Sequence, residues 1–117
     1  MSHQPVLEKA VVTRIMGDLK ARPGIVVRKR HGTVMGVAGD PDLYGTIGGR
    51  HFEIEVKRPN DPSSRLTILQ RRRLLEWKLA GAIVGVARSV DDALHILGLA
   101  GPEQFTSSTV VVAGRPA

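Results

Sequence analysis

Near the middle of the chain, Gly48-Gly49 stands between two runs that alternate polar and apolar residues: Asp42-Leu43-Tyr44-Gly45-Thr46-Ile47 before it, Arg50-His51-Phe52-Glu53-Ile54-Glu55-Val56-Lys57 after it. A glycine pair in that setting is a strong signal for a tight β-hairpin. It converts spacing into geometry. Residues whose numbers sum to 97 face each other, so Ile47 meets Arg50, Thr46 meets His51, Asp42 meets Glu55 and Asp40 meets Lys57. Side chains alternate faces with period two. One face therefore carries Asp40, Asp42, Tyr44, Glu53, Glu55 and Lys57; the other carries Leu43, Ile47, Phe52 and Ile54 and reads as core. A three-residue loop or a bulge would instead send Asp42 and Glu55 to opposite faces.

Two carboxylates directly opposite each other are costly. With Cβ atoms roughly 5 Å apart, full charges repel by about 3 kcal/mol at an effective dielectric of about 20. A favourable cross-strand pair returns only about 0.2–1 kcal/mol. A proton, a neighbouring cation or a divalent metal must offset the difference, and hard cations such as Mg²⁺ take carboxylate oxygens best. Lys57 shares the face but carries too little charge to balance the whole cluster. The plainer alternative is a solvated polar face on an edge hairpin, since polar-out, apolar-in alternation is common in antiparallel sheets.

The remaining pattern frames this hairpin. Leu7, Val11, Ile15 and Leu19 recur at helical spacing, predicting a helix from residue 5 to about 20 with Pro5 in its first turn and Pro23-Gly24 after its end. Glu8 shares that apolar stripe and points partly inward, where a carboxylate near a helix start complements the helix dipole. Residues 25–30 form a β-branched run and a first strand, and His31 to Gly39 is a glycine-rich loop. The hairpin strands span about 41–47 and 50–57. Pro59 to Ser64 breaks the chain, and Thr67-x-x-Gln70 has the form of a capping box opening a helix that runs to about Ala80, with Gly81 as its stop. Capping is the plain role for Gln70. On that helix Ile68, Leu75 and Leu79 group together while Gln70, Leu74 and Trp77 lie about half a turn away, so burial on two sides is expected. Ala82 to Ala87 reads as a buried strand parallel to the one before the crossover. Ser89-x-x-Asp92 caps a last helix. Residues 1–100 then form one domain in the order αβββαβα, a fold at the border of α/β and α+β. Residues 101–117 read as a tail, in which Thr109 to Val112 could add an edge strand or meet a second subunit.

Composition narrows the function. A single core suits 117 residues, and with aromatics at 3% that core must be aliphatic. Scarce rings argue against a base-stacking RNA platform. The absence of cysteine excludes disulfides and thiolate metal sites. No run approaches a membrane span and no signal pattern precedes the first helix, so a cytoplasmic location is the default. A net charge of +6 favours nucleic acid as partner. Arg65, Arg71, Arg72 and Arg73 cluster after the hairpin, and Arg28, Lys29, Arg30 and His31 form a second basic group. Either group could instead simply solvate a surface.

The run Gly39-Asp40-Pro41-Asp42-Leu43, followed by Glu55-Val56-Lys57, resembles the PD-(D/E)XK nuclease signature. Within that superfamily the chain is most similar to the virus-type replication-repair nuclease (VRR-NUC) domains. These carry a Gly-x-Pro-Asp-hydrophobic run, an aromatic-x-Ile-Glu-Val-Lys strand and a glutamine opening a helix, here Phe52 to Lys57 and Gln70. Gly81 to Ser89 resembles the family's next strand and turn, so the likeness spans roughly Glu8 to Leu97. The resemblance implies a restriction-endonuclease-like αβββαβ core with a mixed four-stranded sheet. It implies a metal-dependent DNA endonuclease in which Asp42, Glu55, the Val56 carbonyl and Glu8 hold Mg²⁺ or Mn²⁺. Lys57 and Gln70 would serve the attacking water, and Arg58, Arg65, Arg71, Arg72, Arg73 and Lys29 would grip DNA. Stand-alone members resemble homodimeric enzymes acting on branched DNA, Holliday-junction resolvases among them, that leave 5′-phosphate and 3′-hydroxyl ends. Asp40 departs from the family's apolar or small residue there; it could add a ligand or pair with Lys57. A non-catalytic DNA-binding module on the same fold and a small restriction-type enzyme are the competing expectations.

Overall fold

The computed structural model describes residues 7–32, 35–61 and 64–99. In chain order the elements are α1 (Glu8–Lys20), β1 (Ile25–Lys29), β2 (Leu43–Ile47), β3 (Arg50–Val56), α2 (Ile68–Leu79), β4 (Ile83–Ala87) and α3 (Val90–Ile96). The order is the αβββαβα expected. Pro5 and the Thr109–Val112 segment lie outside the described residues, as does the whole 101–117 tail.

The hairpin closes with the expected register. Gly48 and Gly49 have φ of 56° and 83°, the two positive values a type I′ turn requires. Ile47 pairs with Arg50, Tyr44 with Glu53 and Leu43 with Ile54. β1 pairs antiparallel with β2, and β4 pairs parallel with β3, giving one four-stranded mixed sheet in the order β1-β2-β3-β4. β3 is therefore held by a ladder on each side. The β1 ladder continues one residue past the strand, where the Arg30 N–H donates to the Asp42 carbonyl at 2.7 Å.

The two sheet faces are covered differently. Val11, Val12, Ile15 and Leu19 form the buried stripe of α1. They pack with Ala93 and Leu97 of the α3 region over Val27, Leu43, Phe52, Ile54 and Val56, which are buried. This is the aliphatic core, with Phe52 its one ring. The opposite face carries Glu53, Glu55 and Lys57, and all three are buried, Glu53 completely. The solvated-face alternative is thereby overturned, because α2 lies across that face.

α2 begins with the full capping box. The Gln70 N–H donates to Thr67 Oγ1, and the Thr67 N–H donates to Gln70 Oε1, both at 3.0 Å. Burial of α2 on two sides is not what the fold does. Leu74 is buried, whereas Ile68, Leu75 and Leu79 are 77%, 52% and 78% exposed, because the sheet covers the helix on one side only. Gly39, at φ 83°, lets the loop before Asp40 pass close under α2; a Cβ there would sit 2.7 Å from Leu69 Cγ. At the start of α3, Ser89 Oγ accepts the Asp92 N–H at 3.1 Å, as its spacing predicts.

Candidate metal and nuclease site

Asp42 immediately precedes β2, and the hairpin register continued by one residue sets it opposite Glu55. Ile47–Arg50 flanks the two-residue turn and is a hydrogen-bonded pair. Alternation then makes Asp42–Glu55 a non-hydrogen-bonded pair, the kind whose side chains stand closest. The next pair outward is Pro41–Val56, and there the ladder changes character. Proline has no N–H to give the Val56 carbonyl. The Val56 N–H donates instead to Asp42 Oδ2 at 2.8 Å, and the Pro41 carbonyl accepts from Arg30 Nη1 at 2.8 Å. Strand pairing thus stops where the carboxylates converge, leaving the Val56 carbonyl without a ladder partner from Pro41.

Glu55 sits at the centre of the cluster. Gln70 Nε2 donates to Glu55 Oε2 at 3.2 Å, and Lys57 Nζ lies 3.6 Å from the same oxygen. Gln70 caps α2 as expected, and the two ends of its amide divide the work: Oε1 caps the helix and Nε2 meets the Glu55 carboxylate. Burial, followed by repulsion from Asp42, pushes the Glu55 carboxyl from an ordinary 4.5 up to about 8, against the opposing pull of Lys57. A hydrogen bond to Asp42 also favours the protonated form, and the charge of Glu8, in the first turn of α1, adds to the rise.

This donor set fits a hard divalent cation. Two carboxylates converge, burial and the Asp42 charge push one of them up to about 8, and the Val56 carbonyl has no ladder donor from Pro41. Among the described residues no three His, Cys, Asp or Glu side chains form a complete cage. Glu8 therefore stands near the pair without closing a third side. Mg²⁺ needs no such cage, since it keeps several waters and is bound through one or two carboxylates plus substrate phosphate.

A second cluster on the same face was not foreseen. Arg30 forks onto the fully buried Glu53, with Nη1 to Oε1 at 2.6 Å and Nη2 to Oε2 at 3.0 Å. Its guanidinium lies over the Tyr44 ring at 4.5 Å and the Trp77 ring at 5.6 Å. Glu53 holds it more firmly protonated than usual. His51 Nε2 donates to Glu53 Oε2 at 2.6 Å and stacks on Trp77, ring centres 4.9 Å apart. Asp40 does not pair with Lys57. It accepts from Trp77 Nε1 at 3.2 Å and faces Arg30 Nε at 3.8 Å. The β1–β2 register held the missing signal: Arg30 extends it to a position opposite Asp42, on the face shared with Glu53.

The basic residues separate by environment. Lys29, Arg58, Arg65, Arg71 and Arg72 are exposed, with Arg58 3.5 Å from Asp61. Arg73 is turned inward in part, donating to the Ala38 carbonyl at 3.0 Å and to Glu76 at 3.1 Å. A cleft of about 650 Å³ opens beside Asp40 and Asp42, walled by Arg30, His31 and the loop residues 35–39.

No protein-family model matches the sequence, and no curated protein matches it either. Solved structures do. A VRR_NUC domain protein superposes with a TM-score of 0.64 at 25% identity, over 79% of this chain and 85% of that one. A VRR_NUC domain superposes with a TM-score of 0.59 at 29% identity, over 74% and 91%. The three helices and the mixed four-stranded sheet make an α+β fold that matches these neighbours, which suggest a nuclease-type domain. These structural neighbours support a VRR-NUC domain assignment for the chain. No helix among the described residues is long and apolar enough to cross a membrane.

Proposed function

We propose that the protein is a metal-dependent DNA endonuclease acting on branched DNA, of the Holliday-junction resolvase kind, leaving 5′-phosphate and 3′-hydroxyl ends. The observation that carries this reading is the convergence of Asp42 and Glu55, with Glu55 driven up to about 8 by burial and by its neighbour. Asp42, Glu55 and the Val56 carbonyl would hold Mg²⁺ or Mn²⁺, with Glu8 beside them. Such an ion, when bound, acidifies water and neutralises charge on a phosphate. The chain's own groups supply the rest. Gln70 fixes the rotamer of Glu55 from a capped helix start. Lys57, buried beside Glu55, places a positive charge next to the scissile phosphate and orients the attacking water. The exposed Arg58, Arg65, Arg71, Arg72 and Lys29 grip the backbone without reading sequence, and Arg73 does so only after leaving Ala38.

A homodimer suits a junction that needs two nicks. The uncovered stripe Ile68, Leu75 and Leu79 on α2 supports it, because a two-fold axis buries the same patch on both copies. Leu75→Glu is then expected to turn a dimer into a monomer by light scattering.

The test is nicking of a four-way junction with Mg²⁺ or Mn²⁺. Asp42→Asn, Glu55→Gln and Lys57→Ala are expected to bind the junction and leave it uncut. Binding without metal-dependent cleavage of any DNA form would instead support a non-catalytic module. A defined cut in linear duplex would support a restriction-type enzyme.

A further inference from the structure

We propose that Arg30 is the positioning residue of this site: it sets the segment carrying Asp42 against the strand carrying Glu55, and so determines how tightly a divalent cation is held. The proposal deepens the nuclease reading and rests on it.

One guanidinium and one backbone N–H reach both halves of the site. On the Asp42 side, the Arg30 N–H donates to the Asp42 carbonyl at 2.7 Å, Nη1 donates to the Pro41 carbonyl at 2.8 Å, and Nε faces Asp40 at 3.8 Å. On the Glu55 side, both Nη atoms bind Glu53, two residues before Glu55 on the same strand face. These bonds fall at the place where ordinary pairing fails. At Pro41–Val56 the proline cannot donate, and Val56 has turned its N–H to the Asp42 side chain. With no ladder bond from Pro41 to β3, the Arg30 fork joins the Pro41 carbonyl to Glu53 of β3, beside the bond from Val56 to Asp42.

Stability alone does not account for such a group. A buried ion pair contributes little net, and apolar residues of equal volume often replace it without loss. What the guanidinium supplies is direction: planar donors at fixed angles, here flanked by Tyr44 and Trp77. Lysine supplies charge without the fork. Residues that orient metal ligands typically change metal affinity by about 10–100-fold when altered.

The experiment measures Mn²⁺ binding by calorimetry on the full chain, wild type beside Arg30→Lys and the double variant Arg30→Met with Glu53→Met. Thermal unfolding in EDTA runs in parallel. The double variant removes both charges of the pair at once, the half-buried guanidinium and the buried carboxylate, so it is expected to unfold within a few degrees of wild type. Both variants are expected to bind Mn²⁺ about 10–100-fold more weakly. Raising Mn²⁺ is expected to restore junction nicking to Arg30→Lys and not to Asp42→Asn. Folded variants that bind Mn²⁺ as tightly as wild type would overturn the proposal. So would a double variant that fails to fold, since Arg30 would then serve the fold. Wild-type protein that binds no Mn²⁺ would remove the metal reading itself, and the proposal with it.

Discussion

The two faces of the β2–β3 hairpin are built from alternate residues of the same strands and do opposite things. Leu43, Phe52, Ile54 and Val56 lie under α1 and α3 and are buried without any polar partner to satisfy. Asp42, Glu53, Glu55 and Lys57 lie under α2, where every buried charge needs an answer. Glu53 has one in full, from Arg30 and His51. Glu55 has an amide, a lysine at 3.6 Å and a repelling aspartate. The difference teaches where the fold is held together and where it is held in tension. Burying apolar side chains stabilises at about 25 cal/mol per Å². Burying a poorly matched carboxylate costs stability unless a proton or cation arrives.

The sharpest way to break the comparison is to exchange one residue on each face. Asp42→Asn or Glu55→Gln is expected to lower junction nicking by about 10³-fold or more and to leave the fold intact by circular dichroism. Phe52→Ala, on the other face, is expected to cost about 3–5 kcal/mol in urea unfolding. That cost should be the same at pH 5 and pH 8, since the ring packs among apolar side chains.

Stability of the metal-free protein should depend on pH through the polar face. With the Glu55 carboxyl raised from 4.5 to about 8, the folded chain keeps a proton that the unfolded chain has released between those values. Stability therefore falls as pH rises through that window and falls no further above it. The expected loss is on the order of 1–3 kcal/mol. Glu55→Gln should flatten the slope and be more stable than wild type at pH 8, as read by thermal unfolding in EDTA. Saturating Mn²⁺ should also oppose the loss. A wild-type protein that grows more stable from pH 5 to pH 8 without metal would contradict the tension assigned to this face.

Smaller effects sharpen the picture. Thr67→Ala removes the cap that aims Gln70 and is expected to cost about 1 kcal/mol, with Mn²⁺ affinity falling alongside it. Arg71→Ala and Arg72→Ala are each expected to reduce the slope of log K for DNA against log salt by about 0.9, measured by fluorescence anisotropy. Arg73→Ala, whose side chain is engaged with Ala38 and Glu76, should change that slope less.

Much of this was legible along the chain because it depends on neighbours in sequence. The Gly48-Gly49 turn carries its register in two residues, and Thr67-x-x-Gln70 and Ser89-x-x-Asp92 bond within one helical turn. The coincidence of Asp42 with Glu55 follows from the turn alone. What escaped depends on distance. Arg30 meets Glu53 across 23 positions and Trp77 meets Asp40 across 37. The apolar residues of α2 form no single stripe, so neither its place over the polar face nor the exposure of Ile68, Leu75 and Leu79 could be read from periodicity.

The amino-acid order by itself determined the elements, the hairpin register and the pairing of two carboxylates, because turn geometry and side-chain alternation act over a few residues. Only the tertiary structure decided that α2 would bury Glu55 while Asp42 stays at the edge of a cleft, that Glu53 would be neutralised by an arginine from β1's end, and that Glu55 would be left short of positive charge. Those outcomes rest on which surfaces exclude solvent, and desolvation is a property of the packed molecule as a whole.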